Sequence, residues 1–186
     1  MFIQTEATPN PATIKFLPGQ PVLEKGVAEF KSEDEAIHAP LVQRLFCLQG
    51  VSGVFLGLDF ISVTKADDTD WSMLKPMILG ALMEHFSTGQ PVVLDRYFDG
   101  DGAQVEEDDE ISAQIRELIE TRVRPMVAMD GGDIEFASFE GGVVLLHMRG
   151  ACAGCPSSTA TLKSGIESML KHFIPEVEEV RPVAAY

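Results

Sequence analysis

The chain is poor in cysteine, in positive charge and in long apolar runs, and each shortage closes off a class of function. Cysteine occurs three times in 186 residues, at Cys47, Cys152 and Cys155. An odd and sparse set argues against the disulfide framework of a small secreted domain. Lysine and arginine number 14 against 29 aspartates and glutamates, giving a formal net charge of −15. With no basic patch along the sequence, neither nucleic acid nor an anionic membrane is expected as a partner. The longest apolar runs, such as Val143-Val144-Leu145-Leu146, have the length of a strand, so no membrane span is expected. No basic residue precedes Lys15 and no long apolar segment follows Met1. Neither a secretory signal nor an arginine-rich transit peptide is therefore expected, and the reading is of a cytoplasmic, bacterial-type chain.

Apolar residues make up 45% of the chain, enough for a core in one domain or in two small ones. Phe2 to Ala7 and Ala12 to Leu17 read as strands on either side of Thr8-Pro9-Asn10-Pro11, a turn that fixes their register. Pro40 opens a helix to about Leu48, with Gly50 as its stop. Val51 to Lys65 is β-branched and aromatic and divides near Gly57-Leu58-Asp59, which predicts a hairpin. After Asp70, an N-cap, the residues Leu74, Met77, Ile78, Ala81, Leu82 and His85 recur at helical spacing through Phe86. Residues 1–88 thus form a ββαββα-like domain.

Turn formers and acids then dominate in "YFDGDGAQVEEDDE", and 89–107 read as an acidic linker. The spacing of oxygen ligands that calcium requires is missing there. In 108–186 a helix carrying Ile111, Ile115, Leu118, Ile119, Val123 and Met126 is interrupted by Pro125, and Asp130-Gly131-Gly132-Asp133 forms a turn of structural residues. Strands Ile134 to Phe139 and Val143 to Met148 meet at Gly141-Gly142. A helix from Pro156 has Leu162, Ile166, Met169, Leu170 and Phe173 as its stripe, and "EVEEV" supplies a last strand. The expected class is α/β (α+β): two small domains without internal repeat, the second αββαβ.

The chemistry concentrates in "GACAGCPSST", Gly150 to Thr159. Gly150 and Gly154 permit a tight turn in an exposed loop, and Ala151 and Ala153 add little bulk around the sulfurs of Cys152 and Cys155. Pro156 suits the first turn of a helix, because its missing N–H leaves nothing unpaired there. The thiols then lie at a helix N-terminus, where amides and dipole favour anionic sulfur. A Cys-Pro pair also ends a ferredoxin cluster run. Two thiols do not fill a four-ligand site, however. Cys47, on an apolar helix, is expected as a buried small hydrophobe, and His147 as a partly buried polar residue. Two such loops facing each other across a two-fold axis would supply four thiolates, making each loop half a site. Zinc shared across a dimer would satisfy the same geometry, and a redox dithiol would use the same pair. Only about thirty residues follow Cys155, too few for a thioredoxin-like sheet. Pro156 stands where covalent haem attachment needs histidine.

"MDGGDIEF" with "GGVVLLHMRGACAGCPSSTATLKSGIE" closely resembles the C-terminal domain of NifU-like (Nfu) iron–sulfur proteins. "FIQTEATPNPATIKFLPG" with "PLVQRLFCLQGVSGVFLGLDFISVTK" resembles the Nfu N-terminal domain. The two resemblances cover nearly the whole chain in the family's order. They imply a non-enzymatic scaffold or carrier in iron–sulfur cluster assembly, with a [4Fe-4S] cluster, one per homodimer, bound through Cys152 and Cys155 of each protomer. A [2Fe-2S] form is a second possibility. Clusters would come from upstream assembly proteins and pass to client apoproteins, with the N-terminal domain serving recognition. It is the resemblance that selects iron–sulfur over zinc. The rival reading is a dithiol oxidoreductase or persulfide-handling protein using the same two thiols.

Overall fold

The Thr8-Pro9-Asn10-Pro11 turn fixes strand register, as its residue types predict, in the computed structural model. The structure describes residues 2–94, 109–153 and 156–183, with the backbone alone for 156–159. The Thr8 hydroxyl donates to the Asn10 carbonyl at 2.9 Å and accepts the Asn10 N–H at 3.2 Å. Asn10 Oδ1 accepts the Ala12 N–H at 3.0 Å, and the Trp71 indole N–H donates to the Pro11 carbonyl at 3.0 Å. This holds β1 (Gln4–Ala7) against β2 (Thr13–Leu17) with Ala7 opposite Ile14.

The chain divides into two units, Met1–Ala103 and Gln104–Tyr186. In the first, β3 (Ala28–Phe30), β4 (Val51–Leu56) and β5 (Ile61–Lys65) complete a five-stranded antiparallel sheet of order β1-β2-β5-β4-β3. Helices α1 (Pro40–Phe46) and α2 (Trp71–Thr88) bury Leu41, Val42, Leu45, Leu74, Ile78 and Leu82 in a core shared with Phe16, Phe30, Leu56 and Val63. Asp70 caps α2 as expected, its carboxylate accepting the Ser72 N–H at 2.7 Å. Pro76 sits inside α2 but on its exposed side, where water can serve the Ser72 carbonyl that loses a donor. The sequence reading omits β3 and the 3₁₀ turn Asp34–Ala36 that follows it. It also begins the linker too early. Val92 is buried in the first core and the Leu94 N–H donates to the His38 carbonyl at 2.8 Å, so the chain to residue 94 packs on this unit. The remainder, 95–107, lies outside the described residues.

His85 on α2 is buried with neither ring nitrogen hydrogen-bonded. Burial pushes its pKa below the ordinary value and Arg44 adds to this, while the backbone of Pro91 and Gln90 opposes it in part. The folded state thus prefers neutral His85, and the unfolded chain takes up the proton first as pH falls. Its contribution to stability is present above about pH 6.5 and is lost progressively below it. Calorimetry should show the first unit's Tm falling as the pH drops from neutral to mildly acidic. His85→Phe should flatten that dependence; an unchanged slope would remove His85 as its source.

In the second unit, α3 (Glu110–Leu118) is capped by Asp109, which accepts the Ser112 N–H at 2.7 Å. Pro125 does not interrupt the helix as expected. A π-helical stretch, Ile119–Val123, leads directly into α4 (Arg124–Met129). The buried residues Ile115, Ile119, Val123 and Val127 recur every fourth position. That spacing would drift roughly 120° around an ordinary α-helix over three steps, and the wider turn takes up the drift. The same stretch accommodates a proline that lacks an N–H. Strands β6 (Gly132–Glu140) and β7 (Val143–Gly150) pair antiparallel through Gly141 and Gly142, both at positive φ, and β8 (Glu179–Pro182) pairs parallel to β7. Helix α5 (Pro156–Phe173) buries Ile166 and Leu170, but Phe173, expected in its stripe, is exposed. Its ring instead lies under the Arg122 guanidinium, 5.0 Å from the centroid.

Candidate functional site

Glycines lie on both strands where the β6–β7 ladder ends. Gly132 pairs with Gly150 and Asp133 with Arg149 in the last two rungs. Gly150 turns the chain at φ +62°, a conformation open to glycine. The Ala151 N–H then donates to the Gly131 carbonyl at 3.2 Å, and the Ala153 N–H to the Gly150 carbonyl at 3.1 Å. The chain so folded carries Ala151 and Cys152 back into the second unit's core. Cys152 comes to rest over Gly132. A β-carbon on Gly132 would stand 2.5 Å from the Cys152 Sγ, 2.9 Å from the Arg149 carbonyl oxygen and 3.0 Å from the Cys152 nitrogen. Gly132, read from the sequence as a turn residue, is therefore the floor on which the sulfur lies. No motif arithmetic reveals this, because the contact spans twenty residues and depends on the hairpin register.

This placement corrects two expectations for Cys152. It is not in an exposed loop: only 6% of its surface is accessible. Nor does its surroundings favour the anion. Burial pushes the thiol up to about 12, and the carboxylates of Asp130 and Asp133 push in the same direction. The reason is position. Cys152 precedes the α5 N-terminus by four residues and packs among Ile134, Val144 and other core residues. Cys155, the second predicted ligand, lies outside the described residues, as does Gly154.

Cys47 is also corrected. It is exposed, because α1 ends at Phe46 and Cys47 serves as its C-cap, beyond the buried stripe of Leu41, Val42 and Leu45. His147 is exposed on β7, opposite Glu135. Among the described residues, no three His, Cys, Asp or Glu side chains are grouped so as to hold a metal ion.

Behind the glycine floor stands an ionic clamp that the sequence reading missed. Asp133 is buried, and its carboxylate accepts from Arg124 Nε at 2.8 Å and Nη2 at 3.0 Å. Arg124 Nη1 also donates to both Glu120 oxygens, at 3.0 and 2.9 Å. The two-pronged contact ties the start of β6 to the start of α4, and through Glu120 to the π-helical stretch, and so fixes the strand end bearing Gly132. Only the Glu120–Arg124 spacing of four was visible in sequence. Arg124→Leu would leave the Asp133 carboxylate buried without its partner and should destabilise the second unit by about 3 kcal/mol, measured by urea unfolding. A loss under about 0.5 kcal/mol, the range of ordinary surface changes, would show the clamp to be idle.

Residues 3–89 match a family model described as the N-terminal region of the scaffold protein Nfu/NifU, and residues 115–181 match the NifU-like domain. The chain belongs to the Nfu/NifU family. It is 51% identical over 184 residues to NifU-like protein 4, mitochondrial, of Arabidopsis thaliana, covering 97% of this chain and 65% of that one. It is 48% identical over 184 residues to the human NFU1 iron-sulfur cluster scaffold homolog, mitochondrial, covering 98% and 72%. The chain thus spans just under two thirds of the plant relative's length. A solution structure of a NifU-like protein from Saccharomyces cerevisiae aligns with a TM-score of 0.47 at 27% identity, over 51% of this chain and 86% of that one. Family membership agrees with the mixed helix-and-strand, two-domain class read from the sequence. The cytoplasmic, bacterial-type assignment is overturned, since these plant and human Nfu relatives are named as mitochondrial. That assignment rested on composition at the N-terminus, whereas folded Nfu domains carry nothing in their packing that reports a compartment.

Proposed function

We propose that this Nfu-family chain is a non-enzymatic carrier that holds a [4Fe-4S] cluster between two copies and hands it to client apoproteins. Cys152 and Cys155 of each copy are the four ligands, and the cluster is cargo received from upstream assembly proteins. Recognition belongs to the first unit, whose packed chain runs to residue 94, and cluster binding to 108–186, with the acidic segment after residue 94 joining them. The observation that carries the reading is the seat of Cys152 on Gly132, at the edge of a NifU-like domain in which the described residues offer no further metal-binding group. Among the described residues nothing else joins Cys152, so one chain brings it and Cys155, and a second copy completes the site.

The electrostatics of Cys152 do not suit it to be the attacking thiol of a redox pair. That thiol must ionise near ambient pH, and burial holds Cys152 far above it. Iron does not need a prior thiolate: its charge displaces the proton as the bond forms. The same burial keeps the liberated thiolate unfavourable, so proton return assists release when a client's thiolates replace the carrier's.

The test is reconstitution without oxygen, followed by Mössbauer spectroscopy and sedimentation of apo and loaded protein. A four-iron spectrum in a species of twice the chain mass is expected, with loading shifting the population towards the dimer. A loaded monomer carrying four irons without an added thiol would end the shared-site reading. A colourless preparation that cycles between dithiol and disulfide would favour the redox alternative.

A further inference from the structure

The first unit carries a groove that the cluster chemistry does not use. It opens at one end of the five-stranded sheet, where the start of β1, the end of β2, the loop 19–24 and the β4–β5 turn meet, and has a volume of about 1130 Å³. Phe2, Leu17, Leu23 and Leu58 supply its apolar wall, and Glu24 and Asp59 are its ionic groups among the described residues. Phe2 is 79% exposed and Leu58 52% exposed, so large apolar surface faces water at its rim.

The walls are held in place from several sides. The Val22 and Leu23 N–H groups both donate to the Leu58 carbonyl, at 2.7 and 3.3 Å, pinning the loop to the turn. The turn is closed by the Gly57 N–H to the Phe60 carbonyl at 2.9 Å, and the Phe60 ring packs 5.9 Å from that of Phe55. A preformed surface loses little entropy when it binds. Two features select the occupant. Among the described residues the lining holds two carboxylates and no lysine or arginine, which favours a cationic partner. β1 is an edge strand of the sheet, so an extended chain beside Gln4 can meet backbone groups as well as apolar side chains.

We infer that this groove binds an extended segment of a partner protein in which apolar and basic residues alternate. The inference rests on the recognition role proposed above and gives that role a place and a chemistry. The experiment titrates isotopically labelled full-length chain with a short valine–lysine alternating peptide at physiological ionic strength, followed by amide NMR. Valine–glutamate and serine–lysine peptides serve as comparisons. Shifts confined to residues 2–4, 17–24 and 57–59 are expected, with the comparison peptides failing to bind. L58S/D59N, which changes two turn side chains outside the core, should weaken binding about tenfold. Neutralising Glu33 and Asp34 instead should leave it unchanged. Shifts spread over the acidic surface, or equal weakening by both pairs of substitutions, would reduce the effect to attraction by net charge and overturn the site. Binding unaffected by L58S/D59N would overturn it as well. If that variant loses the peptide yet delivers clusters at the full rate, the groove stands and the recognition role falls.

Discussion

Cys152→Ala is expected to abolish cluster loading while leaving both units folded. Removing one sulfur from each protomer takes two of the four proposed ligands, and no described side chain is placed to substitute. The cost to the fold is that of a small buried side chain, on the order of 1 kcal/mol, well within what a domain tolerates. Cys155→Ala should behave alike in iron content. Cys47→Ala should load normally, since Cys47 is an exposed C-cap in the other unit. Iron and sulfide analysis after reconstitution, with circular dichroism of the apo forms, makes the comparison. Normal iron in a Cys152/Cys155 double variant would sink the ligand assignment.

Much of the fold was legible because its signals are local. Asp70 announces α2 by its side chain, Gly141-Gly142 announces a hairpin, and the stripe from Ile111 to Met126 announces a helix, although Val127 and not Met126 proves buried at its end. What failed was not local. Ala28–Phe30 is too short to show an alternating pattern, and it is a strand only because β4 pairs with it. Residues 90–94 look like linker by composition, yet a buried Val92 and one hydrogen bond to His38 hold them to the first unit. Pro125 reads as a helix breaker unless the fourfold spacing of the buried residues is weighed with it. The site divides in the same way. The loop's residue types identify Cys152 as a thiol of interest, but its burial follows from the register that sets Gly132 opposite Gly150. Turn residues and ligands are chosen one by one, whereas burial belongs to the assembled hairpin.

Gly132→Ala should lower cluster affinity by about 10–100-fold, the range for groups that orient a metal's ligands without touching the metal. The added methyl would sit 2.5 Å from Sγ, well inside van der Waals contact. A flexible side chain could swing away, but the neighbouring obstacles are backbone: the Arg149 carbonyl at 2.9 Å and the Cys152 nitrogen at 3.0 Å. The methyl cannot retreat, so the sulfur and the loop carrying it must. The strain should cost about 1–3 kcal/mol of stability, enough to measure but not to unfold the unit. Backbone conformation contributes nothing to this cost, as Gly132 is not among the glycines at positive φ. Gly165→Ala on α5 is the matched control: its β-carbon would meet open space, and alanine in a helix should be neutral or stabilising. Melting curves and iron competition against a chelator should therefore separate the two variants, with only Gly132→Ala losing affinity. Full affinity in Gly132→Ala, with stability reduced, would mean that the cluster does not depend on where Gly132 holds Cys152.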